Sequence, residues 1–143
     1  MFITALLDEK GHDVLSVPPE CSVYEALEIM EDKNVGALLV MDGDKLLGLL
    51  SERDYARKII LKGRSSRGTT VKEVMSTKIV CVGLHQKAED CMALMTNKRI
   101  RHLPVVEDGR VEGVISIGDI VRCIIEEQGH TIEEMGQYMF GSY

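Results

Sequence analysis

Residues 14–60 read VLSVPPECSVYEALEIMEDKNVGALLVMDGDKLLGLLSERDYARKII, and residues 79–125 read IVCVGLHQKAEDCMALMTNKRIRHLPVVEDGRVEGVISIGDIVRCII. The two stretches align without a gap at a shift of 65 residues, and 11 of the 47 aligned positions are identical. Most of the other apolar positions match in character, such as Leu27 with Met92. Self-similarity of this length indicates a tandem duplication of one supersecondary unit.

Each copy carries the same order of predicted elements. A short apolar and β-branched run at 14–17 or 79–82 predicts a strand, and an apolar spacing of three and four residues predicts the helix that follows it. Two extended runs around Asp-Gly, at 42–43 and at 108–109, predict a β-hairpin. A second helix follows each hairpin. The sequence therefore predicts two tandem βαββα repeats, a fold of mixed α/β (α+β) class.

The composition excludes several classes of protein. The 143 residues are 45% hydrophobic and 28% charged, as in globular domains, and no apolar run is long enough to span a bilayer. The net charge of −6 argues against a nucleic-acid binder, which needs clustered cations. The start of the chain lacks a basic n-region, so we expect no signal peptide and a cytoplasmic location. The four cysteines have no C-x-x-C spacing, which predicts free thiols and no metal site.

The chain divides by sequence into four predicted segments. Residues 1–62 hold the first repeat with an N-terminal helix, and residues 79–128 hold the second repeat. Residues 63–78 between them form a polar linker with a short helix. Residues 129–143 form a C-terminal tail, for which we expect a marginal helix.

One short motif occurs in both repeats: glycine, two apolar residues, serine, two residues and aspartate, at 48–54 and at 113–119. Ser-x-x-Asp at a helix start is a capping box, so a purely structural role explains it. The alternative is a nucleotide site. A helix N-terminus attracts phosphate, a carboxylate one turn in can accept both hydroxyls of a ribose, and glycine permits close approach of a ligand. The motif alone leaves both interpretations open.

The duplicated repeat, the RHLPVV run at 101–106, the VKEVMST segment at 71–77 and the two glycine-serine-aspartate motifs together resemble a tandem pair of cystathionine-β-synthase (CBS) domains. The resemblance covers about residues 8–128. It implies that the repeats pack through their sheets as a pseudo-twofold pair with two clefts, and that pairs dimerise into a disc. It also implies an adenosine-containing regulatory ligand such as AMP, ADP, ATP, S-adenosylmethionine or NAD(H), with no required cofactor.

The resemblance also assigns binding residues to the two clefts. Asp54 and Asp119 would hold ribose hydroxyls, each opposite residues of the other copy. One predicted cleft joins Asp119, Ser116 and Gly118 with Ser16, Cys21 and Ala37, and the other joins Asp54, Ser51 and Arg53 with Cys81, Arg101, His102 and Pro104.

The two clefts are not equivalent by sequence. Arg53 lies two residues after the capping serine and can reach a phosphate, whereas its counterpart is Gly118. We therefore expect unequal affinities, with the Asp54 side better suited to a charged phosphate. His102 is equally compatible with a phosphate contact and with a partly buried hydrogen-bonding role.

The resulting functional prediction is a non-catalytic sensor. We expect it to be a homodimer that signals nucleotide occupancy to a downstream protein through conformational or oligomeric change. No Ser–His–Asp set, zinc-binding helix motif or phosphate loop is present, so no catalytic residue is predicted. The first alternative is a ligand-free dimerisation scaffold in which both boxes are only caps. A second is an enzyme related to inosine-monophosphate dehydrogenase, a family that carries such pairs as inserts.

Overall fold

The computed structural model describes residues 1–129, so the helix predicted in the tail lies outside the described residues. The chain forms two compact units. The first-repeat unit is Val14–Val80. Over the described residues, the second-repeat unit joins Met1–Asp13 to residues 81–129.

The described elements follow the predicted repeat order. The helices are α1 (Ile3–Lys10), α2 (Val23–Lys33), α3 (Glu52–Tyr55), α4 (Val71–Val74), α5 (Ala88–Lys98) and α6 (Ile117–Glu127). The strands are β1 (Ser16–Val17), β2 (Ala37–Asp42), β3 (Lys45–Ser51), β4 (His102–Glu107) and β5 (Arg110–Ser116). The mixed α/β class and the two tandem repeats are confirmed. None of the helices within residues 1–129 is long and apolar enough to cross a membrane.

The first-repeat unit is built on a three-stranded sheet in the order β1-β2-β3. The strand β1 runs parallel to β2, and β2 runs antiparallel to β3. Helix α2 buries Val23, Ala26 and Met30, whose spacing of three and four residues places them on one helix face. The core also contains Val17, Leu38, Val40, Leu50, Ile59, Val71 and Val74.

The second-repeat unit lacks the first of its predicted strands. The run at 79–82 contributes only a single parallel bridge, from Val82 to β4. In the first repeat, the Leu39 amide donates to the Leu15 carbonyl at 3.1 Å. The counterpart of Leu39 is Pro104, which has no N–H to donate. The prediction of a full strand at 79–82 was therefore wrong, and β4 and β5 form a two-stranded sheet.

Helix α1 precedes the first repeat in the chain but packs in the unit of the second. Its apolar residues Ile3, Leu6 and Leu7 are buried. The Ile3 amide donates to the Gln86 carbonyl at 2.9 Å, just before α5. By sequence α1 is grouped with the first repeat because the two are adjacent in the chain. Burial of its apolar face instead places it with residues 80 or more positions away.

The helices that follow the two hairpins differ in form. In the first repeat, α3 has a single α-helical turn and continues as a π-helical turn over Ala56–Ile60. In the second repeat, α6 is one regular α-helix of 11 residues. Single π-helical turns are rare and occur often at functional positions. The duplication therefore preserved the start of this helix but not its continuation.

Candidate functional site

Both predicted capping boxes are confirmed. The Ser51 Oγ accepts a hydrogen bond from the Asp54 amide at 3.2 Å, and the Ser51 amide donates to Asp54 Oδ2 at 3.0 Å. Ser116 and Asp119 make the same pair of hydrogen bonds, at 3.2 and 2.8 Å. Each box satisfies amides at the start of a helix that have no partner within the helix. The structural role of the motif is thus present in both repeats.

The Asp54 carboxylate is buried and accepts from several donors. Its Oδ2 accepts from the Ser51 amide and from the Ser51 hydroxyl, both at 3.0 Å. Its Oδ1 accepts from the Ser76 hydroxyl at 2.9 Å and lies 3.1 Å from the Lys58 ammonium. A carboxylate offers about four acceptor positions, so these four contacts use the capacity of Asp54.

The Asp119 carboxylate has different partners. Its Oδ2 accepts from the Ser116 amide at 2.8 Å and from the Lys10 ammonium at 2.7 Å. Its Oδ1 lies 3.5 Å from a guanidinium nitrogen of Arg122, beyond the usual length of a charged hydrogen bond. Of the four carboxylate oxygens in these two boxes, Oδ1 of Asp119 therefore has the fewest close donors among the described residues.

The surroundings of Asp119 keep it ionised. Desolvation alone would raise the pKa of this carboxyl group. Hydrogen bonds from Lys10 and from the Ser116 amide outweigh desolvation, so the pKa lies below its ordinary value. At neutral pH the second-repeat box therefore presents a carboxylate, which can accept hydroxyl protons but cannot donate.

The partners that the two aspartates have outside their own boxes were not predicted from the sequence. Lys58 and Arg122 lie four and three residues after their aspartates, on the same helix face, so helical spacing was a usable signal for both. Lys10 is 109 residues from Asp119, and Ser76 is 22 residues from Asp54. No local pattern connects these latter pairs, which only the packing of α1 and of the linker brings together.

In the first-repeat unit, two more predicted site residues adjoin the box. Ala37 pairs with Ser51 across β2 and β3, and Arg53 is exposed on the first turn of α3. Ser16 lies in β1 opposite Leu39. The thiol of Cys21 lies 3.7 Å from the Glu25 carboxylate, and burial is the largest cause that raises its pKa.

In the second-repeat unit, Arg101 and His102 lie beside the box of their own repeat. His102 pairs with Ser116 across β4 and β5, and the Arg101 carbonyl accepts from the Ile117 amide at 2.8 Å. Arg101 and Gly118 are exposed. The expected opposition of Arg101 and His102 to Asp54 joins the two units and stays a prediction.

Pro104 and Cys81 have simpler surroundings. Pro104 is buried within β4, and its carbonyl accepts from the Val82 amide at 3.0 Å. Cys81 is an exposed residue, and partial desolvation raises the pKa of its thiol. All four cysteines of the chain are free thiols, as the spacing predicted. A raised thiol pKa disfavours the thiolate, so neither Cys21 nor Cys81 is activated as a nucleophile.

The space beside each motif glycine is filled by other residues of the same chain. A Cβ at Gly48 would lie 2.6 Å from the Met75 sulfur and 2.9 Å from the Ser76 carbonyl oxygen. A Cβ at Gly113 would lie 2.8 Å from a methyl group of Leu7. By sequence, these glycines are also compatible with the close approach of a ligand. In the structure they admit the linker and α1, so internal packing suffices to explain them.

Comparison with known proteins supports the architecture. The family model for the CBS domain matches residues 10–61 and 71–126. The chain is 41% identical over 127 residues to the mitochondrial CBS domain-containing protein CBSX3 of Arabidopsis thaliana. This match covers 85% of the chain and 62% of that relative, so the chain spans less than two thirds of the relative's length.

Two solved structures extend the comparison. One is from Burkholderia ambifaria MC40-6 and is described as a candidate signal-transduction protein with CBS domains. It is 44% identical, covers 92% of this chain and 99% of that one, and has a TM-score of 0.86. The other is the CBS domain pair of a protein in complex with 5-methylthioadenosine and S-adenosyl-L-methionine. At 22% identity and a TM-score of 0.78, over 89% of this chain and 98% of that one, it supports the fold alone.

An enzyme also matches, but only in part. The chain is 34% identical over 112 residues to inosine-5'-monophosphate dehydrogenase of Methanocaldococcus jannaschii, which is 78% of the chain and 21% of the enzyme. The similarity therefore concerns a small part of that enzyme. With two family matches that fall on the two repeats, the chain belongs to the CBS-domain family as a tandem pair of CBS domains.

Proposed function

We propose that this CBS pair is a non-catalytic regulatory module that binds an adenosine-containing ligand through its capping-box aspartates. The shared clefts implied by the resemblance stay a prediction, and each unit's own box supplies the ribose-binding and phosphate-binding groups. The observation that carries the proposal is the ionised Asp119, whose Oδ1 lies 3.5 Å from Arg122 at the start of an 11-residue helix.

The hydrogen bonds favour Asp119 over Asp54 as the ribose acceptor. Each oxygen of Asp54 has two donors, so each ribose hydroxyl that binds there must displace one of them. At Asp119 only Oδ2 has two close donors. At Asp119, Oδ1 has a single cation at 3.5 Å and can accept a hydroxyl at shorter distance. This preference reverses the one expected from the sequence.

The charge near Asp119 favours an anionic adenosine compound. Lys10 and Arg122 contribute two positive charges against one carboxylate, and the amino end of α6 adds the positive end of its dipole. Arg101 is exposed and lies beside the same helix start, where its carbonyl accepts from the Ile117 amide. We therefore propose AMP, ADP or ATP ahead of S-adenosylmethionine, which is bound by the distant structural relative.

The proposed signal is a shift in population. A ligand that binds one arrangement of the module more tightly than another favours that arrangement by the difference in binding free energy. No change of covalent bonds is required, and the role agrees with the signal-transduction description of the Burkholderia relative.

A thermal-shift panel tests the proposal. AMP, ADP, ATP, S-adenosylmethionine, NAD(H) and adenosine are each added to the full chain. A ligand present at 100 times its dissociation constant stabilises the folded state by about 2.7 kcal/mol. Asp119→Ala is expected to abolish most of the shift and Asp54→Ala a smaller part. If no compound produces a shift, the proposed function fails.

A ligand-free scaffold is the second candidate, and one observation favours it. The described residues contain no buried side-chain nitrogen or oxygen without a hydrogen-bond partner, so neither box holds a buried polar atom that requires a ligand. In a scaffold, the panel gives no shift, and Asp54→Ala and Asp119→Ala change stability alone.

We also propose that the module self-associates as a homodimer. Ile60 and Leu61, at the end of the π-helical turn, are 57% and 76% exposed, and Val121 on α6 is 40% exposed. Exposed apolar side chains of this size favour an interface. Sedimentation velocity of Leu61→Glu is expected to show monomers where the parent chain shows dimers. Dimers unchanged in the variant would exclude Leu61 from the interface, and monomers in the parent would refute the dimer.

A further inference from the structure

Helix α1 is attached to the second repeat along its length. At its start, the Ile3 and Thr4 amides donate to the carbonyls of Gln86 and Leu84, at 2.9 and 3.0 Å. In its middle, the fully buried Leu7 occupies the space over Gly113. These contacts do not involve the Ser116–Asp119 box. They hold the body of α1 independently of any ligand.

The end of α1 is attached through the candidate site itself. Lys10 is the last residue of α1, and its ammonium donates to Asp119 Oδ2 and to the Val114 carbonyl, each at 2.7 Å. The Lys10 side chain remains 33% exposed. A second polar contact at this end comes from His12, whose Nδ1 lies 3.1 Å from the Glu112 carbonyl. Surface polar contacts of this kind are weak compared with buried apolar packing, so the end of α1 is held less firmly than its body.

The ion pair competes with a ribose for the same carboxylate. Oδ2 already accepts from the Ser116 amide and from Lys10, which uses both of its acceptor positions. A ribose has two adjacent hydroxyls, and a carboxylate binds such a diol by accepting one hydroxyl on each oxygen. Because the Ser116 amide is fixed by the helix start, Lys10 is the partner that must leave Oδ2.

We propose that Lys10 is an internal counter-ion for Asp119 that a bound ribose displaces, so that occupancy releases the carboxyl end of α1. The inference rests on the proposed function, because it assumes that the ligand's ribose binds Asp119. It assigns to Lys10 two effects at that site: it lowers the affinity for the ribose diol, and it reports occupancy to α1.

The first repeat shows that this arrangement is not inherent in the capping box. Asp54 takes its lysine from its own helix, since Lys58 lies four residues later, and that ammonium also donates to the Val74 carbonyl at 2.8 Å. The position equivalent to Lys58 in the second repeat is Cys123. The second repeat therefore lacks the lysine of its own helix and receives one from α1.

The test compares Lys10→Met with Lys87→Met by calorimetric titration of adenosine and of 2′,3′-dideoxyadenosine, both uncharged. Lys87 is a matched control because it is exposed and its ammonium lies over the Phe2 ring, 5.8 Å from the centroid, before the start of α1. Both variants remove one positive charge from the same unit, but Lys10 alone contacts Asp119.

We expect Lys10→Met to bind adenosine about fivefold more tightly than the parent chain, as for removal of a competing ion pair at a surface. Lys87→Met should stay within about twofold of the parent chain. The gain should disappear with dideoxyadenosine, which has no diol to compete. In the parent chain, adenosine should also increase the hydrogen-exchange rate of the last amides of α1. The Lys10→Met variant should show the same increased rate without ligand.

Three results would overturn the inference in whole or in part. If the parent chain binds adenosine and Lys10→Met binds it equally or more weakly, Lys10 does not compete, and the proposed function stands without it. If neither protein binds adenosine or AMP, the proposed function fails together with the inference. Hydrogen exchange of α1 that is unchanged by saturating adenosine would remove the reporting role of Lys10.

Discussion

The Ser51–Asp54 and Ser116–Asp119 capping boxes share a sequence pattern and local hydrogen bonds but differ in what surrounds them. In the first repeat, Asp54 is tied to the linker through Ser76 and to its own helix through Lys58. In the second repeat, Asp119 is held by Lys10 of α1 and has Arg122 at 3.5 Å. All four acceptor positions of the Asp54 carboxylate are therefore occupied, whereas Oδ1 of Asp119 has only one cation, at 3.5 Å.

This difference shows which properties a duplication preserves. The cap depends on a serine and an aspartate three residues apart, so it survives in both copies. The cations come from positions that do not correspond: Lys58 aligns with Cys123. Equivalent motifs can therefore acquire separate roles without any change in the motif, and we assign ligand binding chiefly to the second.

The largest expected effect comes from the motif glycines. A methyl group in Gly48→Ala meets the backbone oxygen of Ser76, which cannot move without shifting the linker, so we expect a loss of about 3 kcal/mol in unfolding free energy. Gly113→Ala meets the end of the buried Leu7 side chain, and about 1–2 kcal/mol is expected. Urea unfolding measures both.

Gly83→Ala is the control for both glycine variants. A Cβ at Gly83 would meet only the Glu107 carboxylate, at an ordinary 3.4 Å, so a change within about 0.5 kcal/mol is expected. Equal losses at Gly48 and Gly113 would show that the linker yields as readily as the side chain of Leu7.

The next largest effect is the difference in stability loss between alanine variants of the two aspartates. Asp54→Ala removes the acceptor of four contacts in a buried position, so it should cost about 2 kcal/mol of unfolding free energy. Asp119→Ala should cost about 1 kcal/mol, because its cationic partners reach solvent. Exposed Asp13→Ala serves as the reference in urea unfolding. A greater loss of unfolding free energy in Asp119→Ala than in Asp54→Ala would contradict the conclusion that Asp54 is the more fully bonded carboxylate.

The pH dependence of the unfolding free energy tests the contacts of Asp119 at acid pH. The pKa of Asp119 is lowered on folding, so its contribution to stability is complete above its ordinary pKa of 3.8 and is lost as pH falls through the lowered value. Asp119→Asn should therefore lose less stability than the parent chain as the pH falls below about 4. Urea midpoints across this range measure the effect, and parallel pH profiles would refute it.

The smallest effect concerns the missing strand of the second repeat. Pro104→Ala restores an N–H at the position where the Leu39 amide bonds in the first repeat. We expect the new amide to be protected in hydrogen exchange, with a stability change within about 1 kcal/mol. An amide at position 104 that exchanges like a loop would show that another feature prevents the strand.

The sequence predicted what depends on local spacing. Both capping boxes, the hairpins and the core face of α2 follow from residues within a few positions of each other. The strand expected at 79–82 is absent because Pro104, in the neighbouring strand β4, has no N–H to donate to it. The proline was visible in the sequence, but its effect falls on a different segment of the chain. The Lys10–Asp119 pair joins residues 109 positions apart, so only packing reveals it. The π-helical turn at Ala56–Ile60 has no counterpart in the aligned copy and no sequence pattern that we recognise.

Titration of the isotopically labelled chain with AMP, followed by amide NMR shifts, shows which of the two boxes binds the nucleotide. We expect the amides of residues 116–119 to shift first and to saturate, and those of residues 51–54 to follow only at higher AMP concentration. Amides of both boxes that remain unmoved at millimolar AMP, or shifts that begin at residues 51–54, would contradict this expectation.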